Sequence, residues 1–214
     1  MTASITIRPA EPADSDPVIR LIYLTMGIEA DWLFGQEKGY QTSQVLINLF
    51  LRRGNRVSYP LSQVAEQGGK VAGLLLAYPG NQLSLYNWMT GWHLIQIFGL
   101  SATIRLGRRQ SAYGDLIETE RDEFYISNLG VFPENQGKGI GTTLMAHAEK
   151  MAQKAGFQKC SLIVTFGHEN ARRLYEHLGY KVIRSFACNH PQIAEGSGGY
   201  HRMVKTLAPL PKSG

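Results

Sequence analysis

Cysteine is scarce in this chain, with only Cys160 and Cys188 among 214 residues, so no disulfide framework organises the fold. Neither cysteine sits beside a basic partner pattern, which argues against an acyl-cysteine intermediate and a ping-pong route. Residues Met1 to Arg8 show no apolar run behind a basic segment. No secretory signal is read there, and a cytoplasmic protein is expected. Long basic runs are missing too: 22 Lys and Arg against 17 Asp and Glu give +5 and a pI near 9.2, too modest and too dispersed to call for nucleic acid. There are no internal repeats, and no metal is called for.

Charge is absent between Lys70 and Arg105. That gap does not make a membrane span, because Pro79-Gly80-Asn81-Gln82 breaks it. Asn87, His93 and Gln96 then interrupt the remainder, whereas a span needs roughly 20 mostly apolar residues. The run from Pro79 to about residue 121, with Tyr86, Trp88, Trp92 and Phe98, reads as one or two helices packed on the domain. They would form a lid over a substrate site or a dimer contact, possibilities the sequence does not separate; a helix lying on a membrane surface is the lesser alternative. A composition 43% hydrophobic supports one globular domain over residues 1–214, with 79–121 as an insertion and 207–214 as a loose tail.

The most informative stretch runs from Phe124 to Gly156. A strand-like segment, Phe124 to Val131, stops at Pro133. A helix follows Gly141, with Leu144, Ala148, Met151 and Ala155 on one face and Gly156 as its stop. Between them Gly137, Gly139 and Gly141 allow positive φ and close approach, so backbone N–H groups converge at the positive end of a helix dipole. This is an anion site suited to a phosphate-bearing ligand. It is not a P-loop, since Lys138 is followed by Gly139 and no hydroxyl is placed for Mg²⁺. Gly-x-Gly-x-Gly this deep in the chain is also a poor dinucleotide fingerprint.

Gln136, Gly139 and Gly141, after Leu129-Gly130-Val131, resemble the acyl-CoA loop of the GCN5-related N-acetyltransferase (GNAT) superfamily. A second segment, Asn170-Ala171-Arg172-Arg173-Leu174-Tyr175-Glu176-His177-Leu178-Gly179-Tyr180, resembles that family's later helix motif, at the expected separation. The earlier elements agree in order. A strand at Ile5 to Arg8 leads to a helix with Val18, Leu21, Ile22 and Met26, a second helix runs to Arg53, and the strands Leu61–Glu66 and Val71–Tyr78 turn at Gln67-Gly68-Gly69-Lys70. Later strands are Lys159–Thr165, Tyr180–Phe186 and Tyr200–Thr206. The resemblance implies an α/β (α+β) GNAT fold, whose mixed, mostly antiparallel sheet of about six or seven strands has splayed fourth and fifth strands. About four helices would flank the sheet, with the helical insertion between the third and fourth strands.

It further implies an acetyl-CoA-dependent N-acetyltransferase acting by direct attack of a primary amine in a ternary complex, its acceptor a small molecule, peptide or protein. A non-catalytic acyl-CoA-binding or protein-interaction module is the alternative. Backbone groups of Leu129, Gly130 and Val131 would pair with the pantetheine arm. Gln136, Gly137, Lys138, Gly139, Ile140, Gly141 and Thr142 would hold phosphates, with Arg172 and Arg173 assisting. Asn170 would bond the pantetheine or cap its helix. Tyr175 would protonate the leaving thiolate, or else simply pack on its helix face. Thr165 stands where some members carry a glutamate base, which leaves Glu123 as the carboxylate to activate a water, with Asp122, Glu120 and His168 competing. The acceptor pocket would be drawn from Trp32 to Tyr40, the insertion and the loop Cys188 to Gly199. Aromatic core packing is the plainer reading of Trp32-Leu33-Phe34.

Overall fold

The computed structural model describes residues 4–34, 41–110, 116–187 and 198–209. Residues 35–40 and 188–197, which carry much of the expected acceptor pocket together with Cys188, lie outside them, as do the tail residues 210–214. Seven strands form one sheet: β1 Ile5–Pro9, β2 Ser62–Gln67, β3 Lys70–Pro79, β4 Phe124–Val131, β5 Lys159–Thr165, β6 Lys181–Ala187 and β7 Gly199–Thr206. The helices among the described residues are α1 Ser15–Met26, α2 Ile28–Phe34, α3 Thr42–Phe50, α4 Leu83–Phe98, α5 Leu100–Gln110, α6 Ile140–Lys154 and α7 Glu169–His177.

Strand order is β1-β2-β3-β4-β5-β7-β6, and β4–β5 alone is parallel. The β2–β3 hairpin turns through Gly68 and Gly69 at φ +60° and +73°, the left-handed pair a two-residue turn requires. One sheet face packs on α6 and α7, with Leu75, Ile126, Leu144, Ala148, Leu162 and Tyr175 in that core. The opposite face packs on α1 and α3 through Val18, Leu21, Ile22, Leu46, Phe50, Val64 and Leu74.

Several sequence expectations shift. The stripe of α6 that goes inward is Ile140, Leu144, Met145, Ala148 and Ala152, while Met151 is half-buried and Ala155 exposed. Trp32 to Phe34 close a short helix, and Trp32 is buried against Tyr200, the packing role. The tail is not loose at its start: Leu207 is buried and donates its N–H to the Gln158 carbonyl at 2.8 Å. The Ala208 carbonyl then accepts from Gln153 Nε2 at 2.7 Å. The insertion forms two helices, α4 and α5, which stack on the outer side of α3 through Val45, Leu49, Leu94, Phe98, Ala102 and Leu106.

Candidate active site

Strands β4 and β5 pair only at Phe124, Tyr125 and Ile126, against Cys160, Ser161 and Leu162, and then part. The parting has a local cause. Between Leu76 and Ala77 the β3–β4 register slips, so Ser127 on β4 has no opposite number. Such a bulge bends its strand and increases the twist, which carries the end of β4 away from β5. Phe132 N–H donates to the Ala72 carbonyl at 3.0 Å. Antiparallel alternation therefore turns the peptide groups of Gly130 and Asn128 toward β3, and those of Leu129 and Val131 into the gap. Leu129 and Val131 thus turn their peptide groups into the gap, with the Val131 carbonyl taken by Gln136 Nε2. Gly130 does not: its backbone faces β3, and a Cβ there would stand 3.0 Å from Thr25 Cγ2 and 3.3 Å from the Leu21 carbonyl. Its part is to let α1 lie close on the sheet.

The glycine loop closes the cleft at the end of β4. Gly137 and Gly139 hold φ of +74° and +80° with open space where a Cβ would be. Gly141 is helical instead, and a Cβ there would stand 3.6 to 4.0 Å from side-chain atoms of Leu174, Leu129 and Val131, ordinary contact distance. Gly139 caps α6 with no side-chain hydrogen bond, and the first amide bonded back is Thr143, to the Gly139 carbonyl at 3.0 Å. The amides of Ile140, Gly141 and Thr142 are left as donors at the positive helix end, with no acidic side chain in that turn. Gln136 Nε2 donates to the Val131 carbonyl at 3.2 Å and ties the loop to the strand.

The resulting cleft, of about 970 Å³, is lined by Leu129, Val131, Gln136, Gly137, Gly139, Ile140, Gly141, Thr142, Asn170 and Tyr175 from the sequence set. Asn135, Phe166, Gly167 and His168 line it as well. The Phe166-Gly167 turn was not picked out, although a β5 end opposite the glycine loop has to face it once β4 and β5 are neighbours. Lys138 and Arg173 do not line the cleft. Lys138 Nζ donates to Asn135 Oδ1 at 3.1 Å, and Arg173 pairs with Glu169 one turn away at 3.1 Å, both exposed. Asn170 is in the first turn of α7 and His168 holds the cap position, so Asn170 is not the cap.

Tyr175 is buried, stands edge-on to Tyr180 at 6.2 Å, and its hydroxyl makes no hydrogen bond among the described residues. Burial pushes the phenol up to about 12, so it carries its proton throughout the neutral range.

Glu123 is corrected. It lies at the entry of β4, the end remote from the loop, with 3% of its surface exposed. Its carboxylate accepts from Arg202 Nη2 at 2.5 and 2.6 Å, from Thr119 Oγ1 at 3.1 Å and from the Glu120 amide at 2.8 Å. A carboxylate so occupied holds the β4, β7 and insertion ends together and does not take protons from a water in the cleft. Asp122 pairs with Lys159 at 2.7 Å on the surface.

Residues 28–180 match the Acetyltransferase (GNAT) family. A curated Escherichia coli (strain K12) protein, the uncharacterized N-acetyltransferase YjgM, is 34% identical over 68 residues, which is 32% of this chain and 41% of that protein. A crystal structure of an acetyltransferase superposes with a TM-score of 0.69 at 23% identity, covering 95% of this chain and all of that one. An N-acetyltransferase from Staphylococcus aureus Mu50 gives 0.69 at 20%, covering 94% and 100%. The chain belongs to the GNAT acetyltransferase family.

Proposed function

We propose that this enzyme transfers the acetyl group of acetyl-CoA to a primary amine by direct attack in a ternary complex. The observation that carries the reading is the meeting, in one cleft, of an open β4 edge, a helix end with three free amides, and a protonated buried phenol. The Leu129 and Val131 peptide groups would receive the pantetheine as an added strand, and an N–H of this edge would polarise the thioester carbonyl. Loop amides from Gly137 to Thr142 would bind the pyrophosphate. A phosphate bound there meets only small Cβ-free surface at Gly137 and Gly139. Tyr175 would deliver its proton to the departing thiolate.

The amine approaches from the α1 side. There Asn128 Nδ2 bonds Thr25 Oγ1 at 2.9 Å, and Trp32, Leu33, Leu116, Ile163 and Tyr200 form an apolar wall. Leu116 belongs to the returning limb of the insertion, so the insertion contributes to the acceptor side as well as to α3. With Glu123 engaged and Thr165 unable to take a proton, His168 is the base candidate that still lines the cleft, and amines of moderate pKa would also lose their proton to water.

The test is release of CoA thiol from acetyl-CoA with a panel of polyamines, aminoglycosides, small amines and peptide N-termini. Thiol release above the acceptor-free rate with at least one class is expected. Background release across the whole panel, from protein that still binds acetyl-CoA, would favour a non-catalytic CoA-binding module.

A further inference from the structure

Helix α4, Leu83–Phe98, holds no charged side chain among its 16 residues, its polar ones being Ser84, Asn87, Thr90, His93 and Gln96. One side buries Tyr86, Leu94 and Phe98. The other shows Leu85, Trp88 and Trp92 to solvent, at 56%, 66% and 49% exposure. At helical periodicity these three fall within about 60° of one another, a single stripe. Two tryptophans and a leucine in one stripe are normally covered, yet α4 is the outer layer over α3, and nothing further among the described residues covers that stripe.

The surroundings of the stripe are cationic. No Asp or Glu occurs between Glu66 and Asp115. Arg52 and Arg53, just past α3, reach the side of α4. Arg52 Nη1 donates to Gln96 Oε1 at 2.7 Å, and the Arg53 carbonyl meets His93 Nε2 at 3.2 Å. The Arg53 guanidinium bonds the Tyr59 hydroxyl and lies 5.4 Å over its ring. Among the described residues both guanidiniums contact neutral groups only. Helix α5 adds exposed Leu100 and Ile104 beside Arg105, Arg108 and Arg109.

Charge decides between occupants. With a whole aromatic side chain at about 150–250 Å², the exposed apolar side chains of α4 and α5 sum to roughly 500 Å². A stable protein interface takes about 800 Å² per partner, of which roughly 57% is apolar, so area alone leaves a second copy open. Twofold pairing across the stripe, however, would bring the arginines of two copies toward each other. A shallow bilayer insertion needs no such area, favours tryptophan at the interface, and gains from cations wherever the lipid is anionic, as on the cytoplasmic leaflet.

We propose that α4 with its arginine border docks this enzyme on an anionic lipid surface. Leu85, Trp88 and Trp92 enter the boundary between headgroups and acyl chains, and Arg52 and Arg53 meet the phosphates. The docking does not depend on the acceptor chemistry.

The whole chain is incubated with vesicles of phosphatidylcholine alone, or mixed equally with phosphatidylglycerol, then sedimented, and its tryptophan emission is recorded. Trp32 is buried, so Trp88 and Trp92 carry the response among the three tryptophans. The wild type co-sediments with the mixed vesicles, its emission shifts to the blue, and raised salt weakens binding. The double variant Trp88→Ser/Trp92→Ser partitions at least about tenfold less. The double variant Arg52→Gln/Arg53→Gln loses the preference for the anionic vesicles. Circular dichroism and the melting shift with CoA show that each variant is folded. Wild type that stays in solution with both vesicles, or tryptophan variants that bind equally well, overturns the proposal. A dimer in sedimentation velocity that the serine variant breaks, without vesicle binding, assigns the face to a second copy instead.

Discussion

Gly139→Ala, compared with Gly68→Ala, separates the ligand role of the loop from its conformational cost. Both glycines hold left-handed φ, +80° and +60°, and an added methyl at either meets nothing within 4 Å. Any other residue pays about 1–2 kcal/mol for that backbone, so both variants should lose about that much stability. For a chain of this length the midpoint then falls by roughly 2–8 °C. They part when ligand is added. Acetyl-CoA at about 100 times its Kd stabilises the wild type by about 2.7 kcal/mol. Gly68 sits at the tip of the β2–β3 hairpin, outside the cleft, and its variant keeps that increment. Gly139 lines the cleft, and on the proposed reading its methyl would stand where the phosphate meets the helix amides. One charge-assisted bond is worth about 1.5–3 kcal/mol, so its loss raises Kd about 10- to 100-fold. At the same ligand concentration the increment drops to between about 1.4 and 0.4 kcal/mol. Thermal unfolding with and without acetyl-CoA reads all four numbers. Equal ligand shifts in the two variants would refute the placement of the phosphate on this loop.

Tyr175→Phe should lower kcat about 100-fold or more with little change in melting temperature, because the removed hydroxyl has no partner to leave unsatisfied. With the phenol at about 12, the wild-type rate should rise with pH as the amine loses its proton and hold its plateau to about pH 10. A descending limb near neutrality, absent in the phenylalanine variant, would contradict that assignment. Glu123→Ala removes one partner of a buried ion pair and should cost about 3–5 kcal/mol in denaturant unfolding. Protein that remains folded should keep kcat/KM within about threefold of wild type. A large loss of kcat at unchanged stability would restore Glu123 as a base.

Much of the fold was legible because its signals are local. The β4 run, Pro133, the glycine loop and the helix after it follow one another within a few residues, and the structure keeps that order, except that the helix starts at Ile140 and takes in Gly141, read as a third loop glycine. The Tyr175 face of α7 was legible for the same reason, since Ala171, Leu174 and Tyr175 recur at helical spacing and all line the cleft. What escaped the sequence depends on partners far along the chain. Glu123 reads as a solvated strand entry until Arg202, 79 residues later, is seen to cover it. Gly130 looks like part of a ligand motif, yet its missing Cβ serves α1, which lies about a hundred residues earlier in the chain. Leu207 seems a tail because its pairing with Gln158 crosses from another element. The bulge at Ser127, which opens the cleft, leaves no composition signal, since it is a mismatch of register between two strands.

Hydrogen exchange of single amides, with and without CoA, tests the central claim most directly. The account predicts that CoA slows exchange at Leu129 or Val131 on the open β4 edge and at Ile140, Gly141 and Thr142 on the start of α6, while Asn128 and Gly130, already turned toward β3, are unchanged. Protection confined to other elements, or none at ligand concentrations that shift the melting temperature, would contradict it.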